Sequence, residues 1–253
     1  MNLEKKVAIV TGATGGIGFQ VAKRLGKDGY TVILNGIEDE EGAKRIEELS
    51  AEGITAEYYH FDVTNEEKVT SNITAIGEKY GKIDVLVNNA GGLGGRSRFE
   101  EMTTEFYRFV MALNLDSVFF ASRAAIPFLK KGKNASIINY TSNAAWNAGG
   151  PGAGVYGTSK AGVHAITRAL AKDLAEYGIR VNAVSPGTID TPFHAQIKST
   201  KPDVFASWKN NIMLGRLGQP EEVASVVAFL ASDDALFITA ETIQIGGGQA
   251  LGI

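Results

Sequence analysis

Residues 6–25 read KVAIVTGATGGIGFQVAKRL and combine three patterns in one short stretch. An apolar run rich in β-branched residues passes into a glycine-rich turn, and the turn passes into an amphipathic segment. The glycines at positions 12, 15, 16 and 18 allow a tight turn and close approach of the backbone to a pyrophosphate. A helix that begins here adds free N–H groups and the positive end of its dipole. The stretch therefore predicts a nucleotide-binding strand–turn–helix unit, with a turn built only for packing as the alternative.

Six more apolar runs of this kind follow along the chain. Near-continuous apolar runs that alternate with amphipathic stretches indicate parallel strands with helices on both faces of the sheet. We therefore predict an α/β fold, a single-domain doubly wound parallel sheet of about seven strands. The six runs are TVILN (31–35), AEYYHF (56–61), IDVLVNNA (83–90), SIINYTS (136–142), IRVNAVSP (179–186) and TIQIGG (242–247); predicted helices include 40–53, 65–81, 103–130 and 155–178.

Composition limits the classes of function that the chain can have. The 253 residues are 44% hydrophobic and carry a net charge of −3, which is typical of a soluble globular protein and does not favour nucleic acid as a partner. The chain has no cysteine, so disulfides, thiol nucleophiles and thiolate metal sites are excluded. The amino terminus lacks a signal-peptide pattern, and no apolar run approaches ~20 residues, so we expect no membrane span and a cytoplasmic protein.

No linker or repeat divides the sequence, so we predict one domain, residues 1–253. Its nucleotide-binding half covers about 1–90, and its catalytic and substrate half about 91–253. In sheets of this kind ligands bind beyond the carboxyl ends of the strands. The candidate site residues are therefore those that follow each apolar run.

Tyr156 and Lys160 lie four residues apart in the stretch GVYGTSKAG, so a helix places them on one face. Such a pair is usually a solvated surface contact. Tyrosine has a reference pKa near ~10, and an ammonium one turn away favours the phenolate, so Lys160 would lower that pKa toward neutrality. Ser142, at a strand tip facing the same crevice, can stabilise charge on a carbonyl oxygen. Together these residues predict a general acid–base site.

The order of these motifs resembles that of the short-chain dehydrogenase/reductase family over nearly the whole chain. The matching segments are TGATGGIG (11–18), Asp62 with Val63, NNAG (88–91), Asn114, Ser142, the Y-x-x-x-K pair, and NAVSPG (182–187) followed by TIDTP. The resemblance implies a Rossmann-type fold, a nicotinamide cofactor, a homotetramer and a substrate lid at about 190–215.

The resemblance also implies roles for individual residues. The catalytic set is Asn114, Ser142, Tyr156 and Lys160, with Lys160 also holding the nicotinamide ribose and Asn114 positioning a water molecule. The cofactor-binding set is Gly12, Thr14, Gly15, Gly16, Ile17, Gly18, Gly36, Ile37, Glu38, Asp62, Val63, Asn88, Ala90, Gly91, Tyr156, Lys160, Pro186, Gly187, Ile189 and Thr191. One departure from the family is Gly246, where relatives often have an aspartate before a glycine pair.

The segment after the second strand bears on the choice of cofactor. Relatives that prefer NAD often have an aspartate at the position of Gly36, and relatives that prefer NADP have an arginine near Ile37 or a basic residue at Gly15. Neither pattern is present, but residues 38–41 are all acidic and would repel a 2′-phosphate. The prediction is a preference for NAD(H), with NADP(H) not excluded.

The substrate is predicted from polar residues near the crevice. Arg96 and Arg98 could clamp a carboxylate or be surface charges, while Asn143 and Trp146 could form a polar pocket with one aromatic wall. His194 lies in the lid, His60 is expected in the core, His164 is expected to pack, and no metal site is predicted. These features favour a small polar substrate, such as a keto-sugar or a sugar acid of the uronate type. A 3-oxoacyl (carrier protein) reductase or 3-hydroxy acid dehydrogenase is the alternative, and a nucleotide-binding sensor without turnover is a remote one.

Overall fold

The computed structural model describes residues 5–249, apart from the side chains of Phe193 and Gln196. The outer limits of the predicted domain and the first four residues lie outside this range. The structure contains a seven-stranded, all-parallel sheet in the order β3-β2-β1-β4-β5-β6-β7, which confirms the predicted fold class. The strands are β1 (Val7–Val10), β2 (Thr31–Gly36), β3 (Ala56–His60), β4 (Val85–Asn88), β5 (Ser136–Tyr140), β6 (Arg180–Pro186) and β7 (Thr242–Ile245).

Helices cover both faces of the sheet, as strands without an exposed face require. One apolar layer contains residues of α1, α2 and α10, and the other contains residues of α3, α5 and α7. The α-helices are α1 (Gly16–Lys27), α2 (Asp39–Ala51), α3 (Glu66–Tyr80), α4 (Thr104–Met111), α5 (Ser117–Leu129), α6 (Ala144–Asn147), α7 (Gly154–Leu174), α8 (Ala195–Thr200), α9 (Pro202–Ser207) and α10 (Pro220–Ala231).

The sheet order reverses between β1 and β4, because the chain runs outward to β3 and then returns to the other side of β1. Ligands of doubly wound sheets bind at such a reversal, outside the carboxyl ends of the strands. The glycine turn after β1 and the NNAG segment after β4 meet here. The fold thus places the two halves of the predicted site at one edge.

The predicted helix at 103–130 is α4 and α5 joined by a π-helical turn, Ala112–Asp116. By length and composition alone the continuous stretch Thr104–Leu129 could cross a membrane, so the sequence-based exclusion of such a helix was too strong. Its inner face, however, packs in the core through Val118, Ala121, Ala125 and Leu129. The core helix of a globular domain passes the same test of length and composition.

His60 was predicted in the core, and this prediction is wrong. The residue ends β3, but its side chain is 53% exposed and its Nδ1 lies 2.7 Å from Asp39 Oδ1. β3 is an edge strand of the sheet, so its last side chain lies beyond the helices that cover the central strands.

Candidate active site

A cleft of about 850 Å³ opens at the carboxyl edge of the sheet. Its wall combines the glycine turn, the end of β5, the start of α7 and the segments after β6 and β7. Predicted catalytic and cofactor residues that line it are Gly12, Thr14, Gly15, Gly16, Ile17, Gly18, Glu38, Gly91, Ser142, Tyr156, Lys160, Pro186, Gly187, Ile189 and Thr191. The structure therefore brings together residues that lie up to 179 positions apart (Gly12 to Thr191).

The glycine turn has the geometry that a pyrophosphate needs. Gly12 and Gly16 have φ angles of +63° and +52°, in the left-handed region that favours glycine. Helix α1 starts at Gly16 without a side-chain cap, so the N–H groups of its first turn face the ligand position unpaired by a capping side chain. A Cβ at Gly15 would meet nothing within 4 Å, which leaves open space beside this helix terminus. These residues fit a dinucleotide phosphate.

Six predicted cofactor residues do not line the cleft. Asn88 is buried, and its amide donates to Ser122 Oγ and Asn139 Oδ1 (3.1 and 2.8 Å), so its side chain connects β4 with α5 and β5. The carboxylate of Asp62 accepts from the backbone and hydroxyl of Thr64, both at 2.8 Å. The remaining four are Gly36, Ile37, Val63 and Ala90. A cofactor contact for these residues stays a prediction.

Tyr156 and Lys160 occupy the first two turns of α7, and Ser142 follows β5. Burial raises the pKa of Tyr156, and a hydrogen bond with Ser142 opposes this rise. The sequence predicts that Lys160 lowers the pKa of Tyr156. In the structure the Lys160 ammonium nitrogen lies 5.9 Å from the centre of the Tyr156 ring, and the effect of burial on the pKa of Tyr156 is larger. At neutral pH Tyr156 is therefore a phenol, the form that can donate a proton.

Lys160 is 3% exposed, and its Nζ donates to the carbonyl of Tyr140 at 2.9 Å. Desolvation lowers its pKa to about 8. A Cβ on Gly91 would lie 2.9 Å from this nitrogen and 2.8 Å from Asn114 Oδ1, so the glycine of NNAG leaves room for both side chains.

Asn114 lies in the π-helical turn and is fully buried. Its two amide hydrogens are donated to the carbonyls of Gly92 and Val110 (2.8 and 2.9 Å), and its Oδ1 accepts from the N–H of Gly92 at 2.9 Å. An amide oxygen has two lone pairs, so the side chain can bind the predicted water only through the second lone pair of Oδ1. Its main observed role is to fix the loop that follows NNAG.

The predicted substrate residues divide into two groups. Arg96, Asn143 and His194 line the cleft, together with Trp208 and Asn211 of the lid segment. Arg98 and Trp146 do not line it, so the prediction of Trp146 as an aromatic wall is wrong. The Trp146 ring is 54% exposed and packs edge-on against His164, one turn beyond Lys160 on α7, with ring centres 4.9 Å apart.

The predicted site leaves out several residues that shape it, among them Asn89, Arg45 and Gln249. Asn89, the second asparagine of NNAG, ties the glycine turn to the end of β4, and its place in that motif was a usable signal. Arg45 donates from Nε to the carbonyl of Thr14 at 3.0 Å, and Gln249 lines the cleft from the far end of the chain. Neither residue belongs to a motif. Within residues 5–249, no group of three or more His, Asp or Glu side chains could hold a metal ion.

Comparison with known proteins agrees with this geometry. A family model described as enoyl-(acyl carrier protein) reductase matches residues 12–250. The chain is 39% identical to a 3-oxoacyl-(acyl-carrier-protein) reductase, FabG, of Thermotoga maritima over 99% of this chain and 100% of that protein. It superposes with a TM-score of 0.91 and 34% identity on an actinorhodin polyketide ketoreductase solved with NADPH, covering 97% of each chain. With an NADH-dependent reductase, A1-R′, responsible for alginate metabolism, the TM-score is 0.88 and the identity 36%, covering 98% of each.

The chain belongs to the short-chain dehydrogenase/reductase family. It is an NAD(P)(H)-dependent oxidoreductase that acts on CH–OH groups or the corresponding carbonyls.

The first prediction from this geometry concerns Tyr156→Phe, which removes the phenolic proton and keeps the ring. We expect turnover to fall at least 100-fold, since proton transfer by a positioned side chain contributes about 10²–10⁴-fold. Cofactor binding, measured by quenching or enhancement of NADH fluorescence, should remain within about twofold of the wild type. Substantial residual turnover would remove Tyr156 from the acid–base role.

A second prediction concerns the stability cost of the buried lysine. Because folding lowers the pKa of Lys160 from 10.5 to about 8, the unfolded chain binds more protons between these pH values. Stability therefore rises with pH through this window, and below pH 8 the folded protein bears the full cost of burying the charged Lys160 side chain. At pH 7 we expect Lys160→Met to raise the free energy of unfolding of the cofactor-free protein by roughly 1–3 kcal/mol.

The measurement is urea unfolding at pH 7 and at pH 10. Lys172→Met, at an exposed position on the same helix, is the control and should change stability little at either pH. If Lys160→Met is no more stable than the wild type at pH 7, or if its advantage does not shrink at pH 10, the desolvation argument fails.

Proposed function

We propose that this enzyme transfers a hydride between NAD(H) and a small, polar, acidic carbonyl compound, a keto-sugar or a sugar acid such as a uronate. The observation that carries the proposal is that Arg96 lines the cleft that also holds Tyr156 and Ser142. Polar side chains of Asn143, Asn147, Thr188, Asn211 and Gln249 line the same cleft. A substrate that is small, oxygen-rich and anionic matches this lining.

The bound nicotinamide supplies or accepts the hydride, and the protein's own residues handle the substrate oxygen. Ser142 and Tyr156 both lie on the cleft wall, so a substrate carbonyl oxygen placed between them can accept from both hydroxyl groups. In reduction Tyr156 donates its proton to that oxygen. In oxidation the phenolate is required, and burial raises the pKa of Tyr156, so we expect oxidation to need a higher pH than reduction.

Arg96 supports the acid specificity. Its Nη1 donates to the carbonyl of Pro151 at 3.0 Å, which anchors the side chain over the 149–153 loop. A guanidinium has five N–H donors in a planar fork, so Arg96 can hold Pro151 and also bind a carboxylate. Arg98 lies outside the cleft, so substitution of Arg98 is a control for substitution of Arg96.

The preference for NAD(H) is supported by Glu38 and Thr14. The Thr14 hydroxyl donates to Glu38 Oε2 at 3.1 Å and holds the carboxylate beside the glycine turn. A 2′-phosphate at this position would meet a fixed negative charge. Arg45 donates to the carbonyl of Thr14 at 3.0 Å, but its guanidinium is also paired with Glu41 and Glu48 at 3.1 and 2.7 Å.

The structure also gives a reason for glycine at position 36. A Cβ there would lie 2.4 Å from the Thr14 methyl carbon, so an aspartate at this position would collide with Thr14. Glu38, two residues further on, is then the acidic group available to the ribose. Among the similar proteins, one is named as NADH-dependent and another was solved with NADPH, so their names support both cofactors.

A 3-oxoacyl (carrier protein) reductase or 3-hydroxy acid dehydrogenase is the second candidate. It is favoured by the 39% identity to the Thermotoga maritima reductase. An acyl chain carried on a phosphopantetheine would leave the amides of the cleft without partners, which costs free energy. Preferential turnover of an acetoacetyl thioester would support this second candidate.

We further propose a homotetramer in the cytoplasm. Tyr107, Phe109 and Phe119 of the α4–α5 helix are 44%, 48% and 43% exposed, as is typical of a surface that packs against another subunit. The absence of cysteine suits a reducing compartment.

For the cofactor, we expect wild-type kcat/KM to be higher with NADH than with NADPH. Glu38→Gln removes the charge but keeps the shape, and should shift the NADH/NADPH ratio of kcat/KM about tenfold toward NADPH. Glu40→Gln, exposed in the first turn of α2, is the matched control and should leave the ratio unchanged. A wild type that prefers NADPH would contradict the charge argument.

For the substrate, a panel of D-glucuronate, 5-keto-D-gluconate, 5-oxohexanoate, an acetoacetyl thioester and cyclopentanone separates the candidates. We expect turnover of the oxo acids, and Arg96→Met should raise their KM at least tenfold while changing kcat little, because the carboxylate lies away from the reacting carbon. Arg98→Met should have no such effect. Turnover confined to uncharged ketones, or an unchanged KM in Arg96→Met, would contradict the acid specificity.

A further inference from the structure

The turn after β7 brings a side chain into the cleft that no motif predicts. This segment, Gly246–Gln249, is called the C-terminal turn below. Because β7 is parallel to β6, its carboxyl end lies at the cleft edge of the sheet. Gly247 and Gly248 have φ angles of +57° and +86°, and the N–H of Gln249 donates to the carbonyl of Gly246 at 2.9 Å. The chain therefore reverses, and Gln249 becomes part of the cleft wall.

The Gln249 amide is held in one orientation by the segment after β6. Its Oε1 accepts from the N–H of Thr188 at 2.8 Å, and its Nε2 donates to the hydroxyl of Thr188 at 2.9 Å. Asn143, the residue after Ser142, donates from Nδ2 to the same Oε1 at 3.5 Å. Gln249 thus connects the catalytic serine's neighbour to the loop that leads into the lid segment.

Two glycines make room for this arrangement. A Cβ on Gly187 would lie 2.6 Å from Gln249 Oε1, and a Cβ on Gly246 would lie 3.3 Å from Asn143 Nδ2. The glycine at position 246 is therefore part of the same packing as Gln249.

The chemistry of this wall indicates what it binds. Gln249, Asn143, Asn147 and Asn211 are neutral amides. The Gln249 Oε1 already accepts from Thr188 and Asn143, and one Nε2 hydrogen is donated to Thr188, so the group that Gln249 offers to a ligand is the second hydrogen of Nε2. A substrate hydroxyl can accept that hydrogen, whereas a methylene group offers no acceptor. A hydrocarbon portion would bury these amides without partners, and sites built to bind hydroxyls reject such analogues strongly.

We propose that Gln249 is a specificity-determining residue that hydrogen-bonds a hydroxyl group of a polyhydroxylated substrate. The inference rests on the proposed function and deepens it, because Arg96 recognises the carboxylate and Gln249 recognises the hydroxylated carbon chain. Gln249 contacts Asn143, which follows Ser142, and Thr188, and it takes no part in proton transfer.

The test compares two six-carbon monoanions, 5-keto-D-gluconate and 5-oxohexanoate, which share the position of the ketone and of the carboxylate and differ in their hydroxyl groups. The readout is the ratio of their kcat/KM values, in which general effects on charge and folding cancel. We expect the wild type to favour the hydroxylated acid. Gln249→Met should lower this ratio at least tenfold, chiefly through KM for 5-keto-D-gluconate.

Gln249→Glu is the second variant, because its carboxylate can still accept from the N–H of Thr188 and so preserves the turn. It loses the Nε2 donor, and the ratio should fall several-fold. Gln244→Met, exposed on β7, is the matched control and should leave the ratio unchanged. Thermal unfolding and NADH binding show which variants are folded.

The possible outcomes separate a failure of the proposed function from a failure of the role of Gln249. If the wild type reduces neither oxo acid, this inference is refuted, and if it also fails to reduce D-glucuronate, the proposed function is refuted with it. If the wild type reduces both equally well, or if the ratio is unchanged in a folded Gln249 variant, this inference alone is refuted.

Discussion

The close approach of Gly18 to the carbonyl of Gly12 is the constraint on which the site depends. A Cβ on Gly18 would lie 2.3 Å from that oxygen and 2.5 Å from Asn89 Nδ2. Asn89 in turn donates to the carbonyls of Thr11 and Gly12 at 2.9 and 3.0 Å. The start of α1 is therefore tied to the end of β4 across the point where the sheet order reverses. Without this contact the phosphate position and the catalytic half of the cleft would not be fixed relative to each other.

The predicted catalytic residues place polar groups in the buried interior, and hydrogen bonds to the backbone offset much of the free-energy cost of that burial. Lys160 donates to the carbonyl of Tyr140, and Asn114 uses both amide hydrogens on the carbonyls of Gly92 and Val110. Buried polar groups with such partners cost far less than unpaired ones. The hydroxyl of Ser142 accepts from the N–H of Ala144 at 3.2 Å, so its own hydrogen is directed elsewhere. These contacts hold the reacting groups in place before substrate arrives, which is how electrostatic preorganisation works.

Local patterns in the sequence were sufficient to predict the fold class, whereas the catalytic set Asn114, Ser142, Tyr156 and Lys160 follows from the family resemblance and stays a prediction. Apolar runs predict strands because burial on both faces leaves no room for polar residues, and the Tyr156–Lys160 spacing predicts a shared helix face because helical geometry is regular. The errors concern residues whose surroundings come from distant parts of the chain. Trp146 follows a catalytic serine in sequence, yet a single turn of helix carries it out of the cleft.

The omissions have the same cause. Arg45 meets Thr14 across 31 positions, and Gln249 meets Thr188 across 61. No local pattern encodes such pairs, since each depends on the order of strands in the sheet and on how a turn directs one side chain. The pKa of Tyr156 was also misjudged, because the sequence shows a neighbouring charge but does not show how deeply the ring is buried.

The C-terminal turn links substrate recognition to the lid. The N–H of Leu214, at the end of the lid segment, donates to the carbonyl of Gly247 at 3.1 Å. A Cβ on Gly248 would lie 2.6 Å from the sulfur of Met213, so the turn and the lid base are in close contact. Gln249 of the same turn contacts Asn143 beside Ser142, so the turn lies between the predicted lid segment and the predicted catalytic serine. We therefore expect substitutions in the lid segment or in the C-terminal turn to alter the cleft wall while the contacts of Lys160 and Asn114 stay the same, in keeping with a fold that carries many functions through changes at its sites.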